Sequence, residues 1–212
     1  MENHGKLYFK YGCMGAGKSL QLLATAHNFQ EHGIPFLTFK SEIDTRDGEN
    51  TIYSRALGGR ECVSISITAN LFEIIGKLID NSKVLCQPQL KWILVDEAQF
   101  LTKEQVNQLA AIVDNFGISV ICYGLRTDFR TELFPGSKRL FEIADDIEEL
   151  KSSCFCNSKT IFNARINGEG KVITEGAQVE VGGDDRYVSL CRKCYNKKIG
   201  NPYYNNKIEN EN

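Results

Sequence analysis

The run Lys6-Leu7-Tyr8-Phe9-Lys10-Tyr11, then Gly12-Cys13-Met14-Gly15-Ala16-Gly17-Lys18-Ser19, then Leu20, Leu22 and Leu23, decides how this chain is read. A short strand pattern enters G-x-x-x-x-G-K-S, and the loop opens into a helix with apolar periodicity, which is the context the motif needs. Glycines let successive backbone N–H groups point into one concavity, and the following helix turns its positive dipole end to the same spot. Phosphate oxygens therefore sit there. Lys18 reaches the β- and γ-phosphates as a point charge, and the Ser19 hydroxyl ligates Mg²⁺.

Around that loop, 212 residues suit one ordinary domain with a small appendage, and 42% apolar residues allow a sizeable core. A net charge of −2 argues against a broad nucleic-acid or anionic-membrane surface, since such binding needs clustered Lys and Arg. Nothing approaches a membrane-spanning apolar run, and Met1–Lys10 lacks a signal peptide's apolar core, so a soluble cytoplasmic protein is expected. Cys13, Cys62, Cys86 and Cys122 are scattered singly and read as reduced small hydrophobes.

Lys18–Glu31 carries Leu22, Leu23, Ala26 and Phe29 at helical spacing, and Ile34–Lys40 reads as a strand. The polar stretch 41–60 reads as a mobile solvated loop turning at Asp47-Gly48, with Asp44, Arg46, Ser54 and Arg55 in it. Arg46 or Arg55 would touch phosphate only if that loop folds over the nucleotide. Cys62–Ile67 is a short strand, Asn70-x-x-Glu73 caps a helix, and Trp92-Ile93-Leu94-Val95 is a strand buried on both faces. Thr102-x-x-Gln105 caps another helix, and Ser119–Gly124 is the next buried strand. Strands alternating with helices give an α/β fold: a P-loop NTPase-type parallel sheet flanked by helices, with ligands at the carboxyl ends of the strands.

Asp96-Glu97 ends the buried strand at 92–95, where an acid downstream of such a loop holds Mg²⁺. Adjacent side chains on an extended strand end point to opposite sides, so Asp96 can face the metal and Glu97 the acceptor. A carboxylate there takes the proton of an attacking hydroxyl. The nucleotide site is accordingly Gly12, Cys13, Met14, Gly15, Ala16, Gly17, Lys18 and Ser19, with Asp96, Glu97, Ala98 and Gln99; Ser19 and Asp96 form the magnesium shell.

Cys154-x-Cys156 and Cys191-x-x-Cys194 make two close pairs, the donor set of a closed structural Zn²⁺ site. Asn157–Leu190 has few apolar clusters, too small a core to order itself unaided, so the metal clamps both ends of a long loop. Residues 1–150 then form the nucleotide domain, 151–199 a small C-terminal zinc-binding domain, and 200–212 a disordered tail.

The glycine loop, Asp96-Glu97-x-Gln99-Phe100, Tyr123-Gly124-Leu125-Arg126-Thr127-Asp128-Phe129, and Gly182-Gly183-x-x-Arg186-Tyr187 ahead of Cys191 resemble the type II thymidine kinases. The resemblance covers about residues 5–196. It implies a zinc-clamped lasso loop, transfer of the γ-phosphoryl of ATP to the 5′-hydroxyl of thymidine, and salvage of pyrimidines for DNA synthesis. It also implies a homotetramer and feedback by thymidine triphosphate, with neither nucleic acid nor membrane as a partner. By the same resemblance Glu97 is the proton acceptor, and Cys154, Cys156, Cys191 and Cys194 are the zinc ligands. Phe100, Leu125, Phe129, Phe134, Asn163, Val179, Val181 and Tyr187 are then the wall around the base, Asn163 departing from the threonine met in relatives. The Cys-x-Cys pair is a residue shorter than the commonest knuckle. A different class remains open from the residues alone: a zinc-containing P-loop ATPase acting on nucleic acid, in which Glu97 activates water.

Overall fold

The structure is a computed structural model that describes residues 4–44, 48, 50–84, 89–178 and 186–204, without the side chains of Val84 and Arg186. It contains two compact units. The first comprises Met1–Tyr11, Gly17–Arg126 and Phe134–Leu150; the second comprises Gly12–Ala16, Thr127–Leu133 and Lys151–Asn212.

The first unit is built on a six-stranded sheet. Its strands are β1 (Leu7–Gly12), β2 (Phe36–Ser41), β5 (Val63–Ile65), β6 (Trp92–Asp96), β7 (Ser119–Gly124) and β8 (Asp146–Leu150), in the order β5-β2-β6-β7-β1-β8. The pairs β1–β7, β6–β7, β2–β6 and β2–β5 are all parallel. Because side chains alternate along a strand, both faces must be covered. Leu7, Phe9, Ile93, Val95, Val120 and Cys122 enter one core with helices α2 (Leu71–Val84), α3 (Lys103–Phe116) and α4 (Pro135–Ile143). Leu94, Ile121 and Tyr123, one residue out of step, meet Leu22, Leu23 and Ala26 of α1 (Lys18–Glu31) on the other face.

Helix boundaries follow capping chemistry. Thr102 Oγ1 accepts from the Gln105 N–H and Gln105 Oε1 from the Thr102 N–H, each at 3.1 Å, a complete capping box. Asn70 and Glu73 exchange bonds at the start of α2. Helix α4 opens on Pro135, where a missing N–H costs nothing.

The stretch after β2 departs from the solvated loop expected of it. Strands β3 (Thr51–Ser54) and β4 (Gly58–Glu61) pair antiparallel, so the turn lies at Arg55–Leu57; Asp47 and Arg46 are outside the described residues. Asp44 is buried, and its carboxylate meets the Lys40 ammonium at 3.3 Å. Lys40, 1% exposed, also donates to the carbonyls of Thr51 at 3.1 Å and Gly48 at 3.3 Å. A charge this deep persists only with such partners, and they hold the hairpin down. Arg55 is exposed at its tip.

The second unit carries β9 (Phe162–Ile166), β10 (Val172–Ile173) and β11 (Arg186–Leu190), antiparallel in the order β10-β9-β11, and helix α5 (Arg192–Lys198). Ala164, Val172, Leu190, Cys154, Cys191 and Tyr195 form its core. Pro202–Tyr204 is a short 3-10 turn where a disordered tail is expected; residues 205–212 lie outside the description.

Candidate active site and metal centre

In the first unit the acid pair sits where β6 ends. Ser19 Oγ donates to Asp96 Oδ2 at 2.9 Å, joining the first turn of α1 to that strand end. Burial pushes the Asp96 carboxyl up to about 7, the Glu97 charge adds to the rise, and the Ser19 bond opposes it. Lys18 is 8% exposed at the start of α1. Gly15 and Gly17 have φ of 75° and 83°, left-handed values that glycine adopts freely.

Glu97 does not continue the strand. Its φ of 52° and ψ of 37° are left-handed, so the alternation expected to send Asp96 and Glu97 to opposite sides is broken. A non-glycine residue held there costs of order 1–3 kcal/mol and persists only where its surroundings over-determine it. Those surroundings are Gln99, Gly124 and Gly136. Gln99, fully buried, donates from Nε2 to Glu97 Oε2 and accepts the Leu125 N–H on Oε1 at 2.9 Å. A Cβ at Gly124 would lie 3.0 Å from Gln99 Oε1, and one at Gly136 would lie 2.5 Å from the Ala98 carbonyl. The 3-10 turn Ala98–Phe100 is therefore gripped by β7 and by α4. Ser137 Oγ donates to the Leu125 carbonyl, so both ends of residue 125 are tied. Phe100 and Phe134 meet edge to face, centroids 5.6 Å apart.

The second unit holds the other expected wall residues. Phe129 is buried, with the Arg165 guanidinium over its ring at 5.3 Å and its carbonyl accepting from Tyr195 Oη at 3.0 Å. Tyr187 is 37% exposed on β11, opposite Arg165. Asn163 is buried, and Oδ1 accepts the Met14 N–H at 2.8 Å. Val179 and Val181 lie outside the described residues, as does the Gly182-Gly183 pair.

Three residues of this unit carry structure that motif reading does not single out. Asp128 accepts from the Arg130 and Glu132 N–H groups, the Arg130 side chain and Gln178 Nε2. The turn Asp128–Arg130 was legible as an Asx turn; the bond from Gln178, fifty positions on, was not. Ser189 Oγ donates to the Met14 carbonyl at 2.7 Å.

The four late cysteines converge. Their sulfurs all lie within 4.8 Å of one another, with Cys156 and Cys191 at 3.5 Å. Zn–S bonds of about 2.3 Å in a tetrahedron place sulfurs about 3.8 Å apart, so the donor set fits one such ion. Bonds from the Ser158 hydroxyl and N–H hold Cys156 down to about 6, favouring a thiolate. Cys191 Sγ also accepts the Cys194 N–H, capping α5. These four cysteines can hold a metal ion.

A profile of the thymidine kinase family matches residues 5–195. The chain belongs to the thymidine kinase family. A relative named thymidine kinase from Haemophilus influenzae is 46% identical over 195 residues, covering 92% of this chain and 98% of its own. One from Pasteurella multocida is 47% identical with the same coverage, and one from Legionella pneumophila is 43% identical over 97% of both chains. A Pif1 helicase from Candida albicans overlays 70% of this chain and 36% of its own at 15% identity and a TM-score of 0.41, too distant to carry any argument. This member of the family carries a mostly parallel α/β sheet, a glycine-rich loop ahead of α1 and a four-cysteine cluster. Among the described residues no helix is long and apolar enough to cross a membrane.

Proposed function

We propose that this protein transfers the γ-phosphoryl group of ATP to the 5′-hydroxyl of thymidine, with deoxyuridine as a second acceptor, giving the nucleoside monophosphate in pyrimidine salvage. The observation that carries the proposal is the buried Glu97 carboxylate, held on a left-handed backbone by Gln99, one residue beyond an Asp96 bonded to Ser19. Phosphoryl transfer has a loose transition state with charge spread over equatorial oxygens, so positioning and positive groups supply most of the rate. Lys18 and the amides of the Gly12–Ser19 loop other than that of Met14 meet that charge. Glu97 orients the 5′-oxygen and accepts its proton late, a contribution of roughly 10²–10⁴-fold.

Ser19 and Asp96 would hold Mg²⁺, which would supply positive charge against the phosphates. Zn²⁺ would sit among Cys154, Cys156, Cys191 and Cys194 in a structural role. Phe100, Leu125, Phe129, Phe134, Asn163, Tyr187, Val179 and Val181 would enclose the base, and Ala98 and Gln99 would join the ATP site. Residues 1–150 are proposed as the kinase domain and 151–199 as the zinc-binding lasso domain. A cytoplasmic homotetramer restrained by thymidine triphosphate goes with this reading.

The test is a nucleoside panel with labelled ATP and Mg²⁺, with a parallel arm containing DNA. Thymidine should be phosphorylated well above purine nucleosides. Hydrolysis stimulated by DNA without any nucleoside product would overturn the assignment.

A further inference from the structure

Strands β9 and β11 of the second unit display two unlike faces. Phe162, Ala164, Val188 and Leu190 turn to the core beside the cysteines. Asn163, Arg165, Tyr187 and Ser189 occupy the opposite face, because side chains alternate along each strand and the register pairs Asn163 with Ser189 and Arg165 with Tyr187. The first of these cross-strand pairs converges on one residue far away in sequence. Asn163 Oδ1 accepts the Met14 N–H at 2.8 Å, and Ser189 Oγ donates to the Met14 carbonyl at 2.7 Å. A backbone N–H can only donate and a carbonyl only accept, so the polarity of both contacts is fixed, including which end of the Asn163 amide faces Met14. A 3.4 Å approach between Ser189 Oγ and Asn163 Oδ1 links the two grips.

Met14 lies inside the glycine loop, between Cys13, whose carbonyl accepts the Ala16 N–H at 3.2 Å, and Gly15, whose φ is 75°. A loop of this composition has many conformations to lose, and glycine loses the most on being ordered. Gripping the N–H and the carbonyl of one residue fixes the rotation of the peptide planes on either side of it. It also commits the Met14 N–H to Asn163 and not to a phosphate.

We infer that Asn163 and Ser189 form a clip on Met14 that pre-organises the phosphate loop, which makes them positioning residues for nucleotide binding and not contacts to the base alone. This rests on the reading of Gly12–Ser19 as the nucleotide cradle. Loss of one grip leaves the loop to be ordered by the nucleotide itself, so its cost appears in nucleotide affinity.

The test uses the full chain with its metal and the variants S189A, N163A, the double variant and S189T. Dissociation constants for Mg·ADP are measured by calorimetry with no nucleoside present, those for thymidine separately, and KM and kcat for both substrates are compared. S189A and N163A should each weaken Mg·ADP about tenfold, the scale of one lost hydrogen bond of roughly 1.4 kcal/mol, with kcat of S189A changed less than threefold. The double variant should lose less than the product of the two, because both grip one residue. S189T keeps the hydroxyl and should restore Mg·ADP affinity to within about twofold. If N163A does not fold, the S189A and S189T pair decides the matter. Unchanged Mg·ADP affinity with a raised thymidine constant would overturn the clip and leave Asn163 as a base contact; equal losses in S189A and S189T would also overturn it. Failure of the parent protein to bind Mg·ADP would instead bring down the cradle reading itself.

Discussion

Gln99 is where stability and turnover should separate cleanly. Its amide lies fully buried, its Nε2 bonded to the Glu97 carboxylate and its Oε1 to the Leu125 N–H at 2.9 Å. Gln99→Leu keeps the volume and removes both bonds. An unpaired buried N–H at Leu125 costs about 1–3 kcal/mol, and losing a bond to a charged acceptor costs about 1.5–3 kcal/mol. Apolar burial of the leucine returns about 1–2 kcal/mol, and the midpoints of these ranges leave a net loss of about 3 kcal/mol, measurable by urea denaturation.

Turnover should fall about 10–100-fold, part of the roughly 10²–10⁴-fold that a well-placed base supplies, because Glu97 stays present but is no longer aimed. KM for ATP and thymidine should move less than about threefold if only transition-state alignment is lost. Glu97→Gln alone should bind nucleotide normally and lose the full base contribution of roughly 10²–10⁴-fold. Adding Gln99→Leu to Glu97→Gln should then reduce stability further without reducing turnover further. Turnover losses that multiply in the double variant would refute the idea that Gln99 acts through Glu97. So would a Gln99→Leu protein as stable and as active as its parent.

Three other expectations follow from named contacts. Because the Asp96 carboxyl is pushed from 3.8 up to about 7, the folded chain holds that proton more tightly than the unfolded one. The associated stabilisation is complete below the lower value and lost as pH rises to the higher, so ligand-free protein should lose melting temperature across that window. Asp96→Asn should remove this component, and a slope identical in the variant would contradict it. Stripping metal with a chelator should unfold the β9–β10–β11 sheet, seen as rapid proteolysis within 151–204, because structural zinc sites contribute about 10–16 kcal/mol of apparent binding energy; protection unchanged by the chelator would count against it. Lys40→Met leaves Asp44 buried without its 3.3 Å partner and should destabilise by about 3–5 kcal/mol, whereas Lys40→Met with Asp44→Leu should recover most of the loss.

How much of this was legible depends on the range over which the forces act. Strand β1, α1, β6, α3 and β7 show in local periodicity and caps, because each buries a stripe or face its own spacing defines. Helix α4 hides behind Pro135-Gly136, a pair that looks like a turn; Pro135 is tolerated at the first helical position, and Gly136 is required by the Ala98 carbonyl 2.5 Å from where its Cβ would be. Strand β8 hides because Asp146-Ile147-Glu148-Glu149-Leu150 is acidic, the composition that keeps a sheet edge from pairing further. Asp44 hides because a charge in a polar stretch reads as solvated unless its partner Lys40 is already placed. The left-handed Glu97 has no local sign at all, since what over-determines it is Gln99 and Gly124.

The strands of the second unit are a different case, for their signal was present and easily discounted. Phe162-Asn163-Ala164-Arg165-Ile166 and Tyr187-Val188-Ser189-Leu190 alternate polar and apolar at period two. Alternation normally means one face in a core and the other in water. Here Asn163 and Arg165 are 3% and 6% exposed, so the polar residues of β9 are buried too. Buried polar groups need partners, and in a small unit whose apolar side is taken up by cysteines they must come from chain segments distant in sequence. Gly12–Ala16 and Thr127–Leu133 are those segments: Met14 meets Asn163 and Ser189, and Phe129 meets Arg165 and Tyr195. The discontinuity of this unit is thus a consequence of its chemistry, because the buried polar residues of a small sheet are satisfied by the glycine-rich loop Gly12–Ala16 and by Thr127–Leu133.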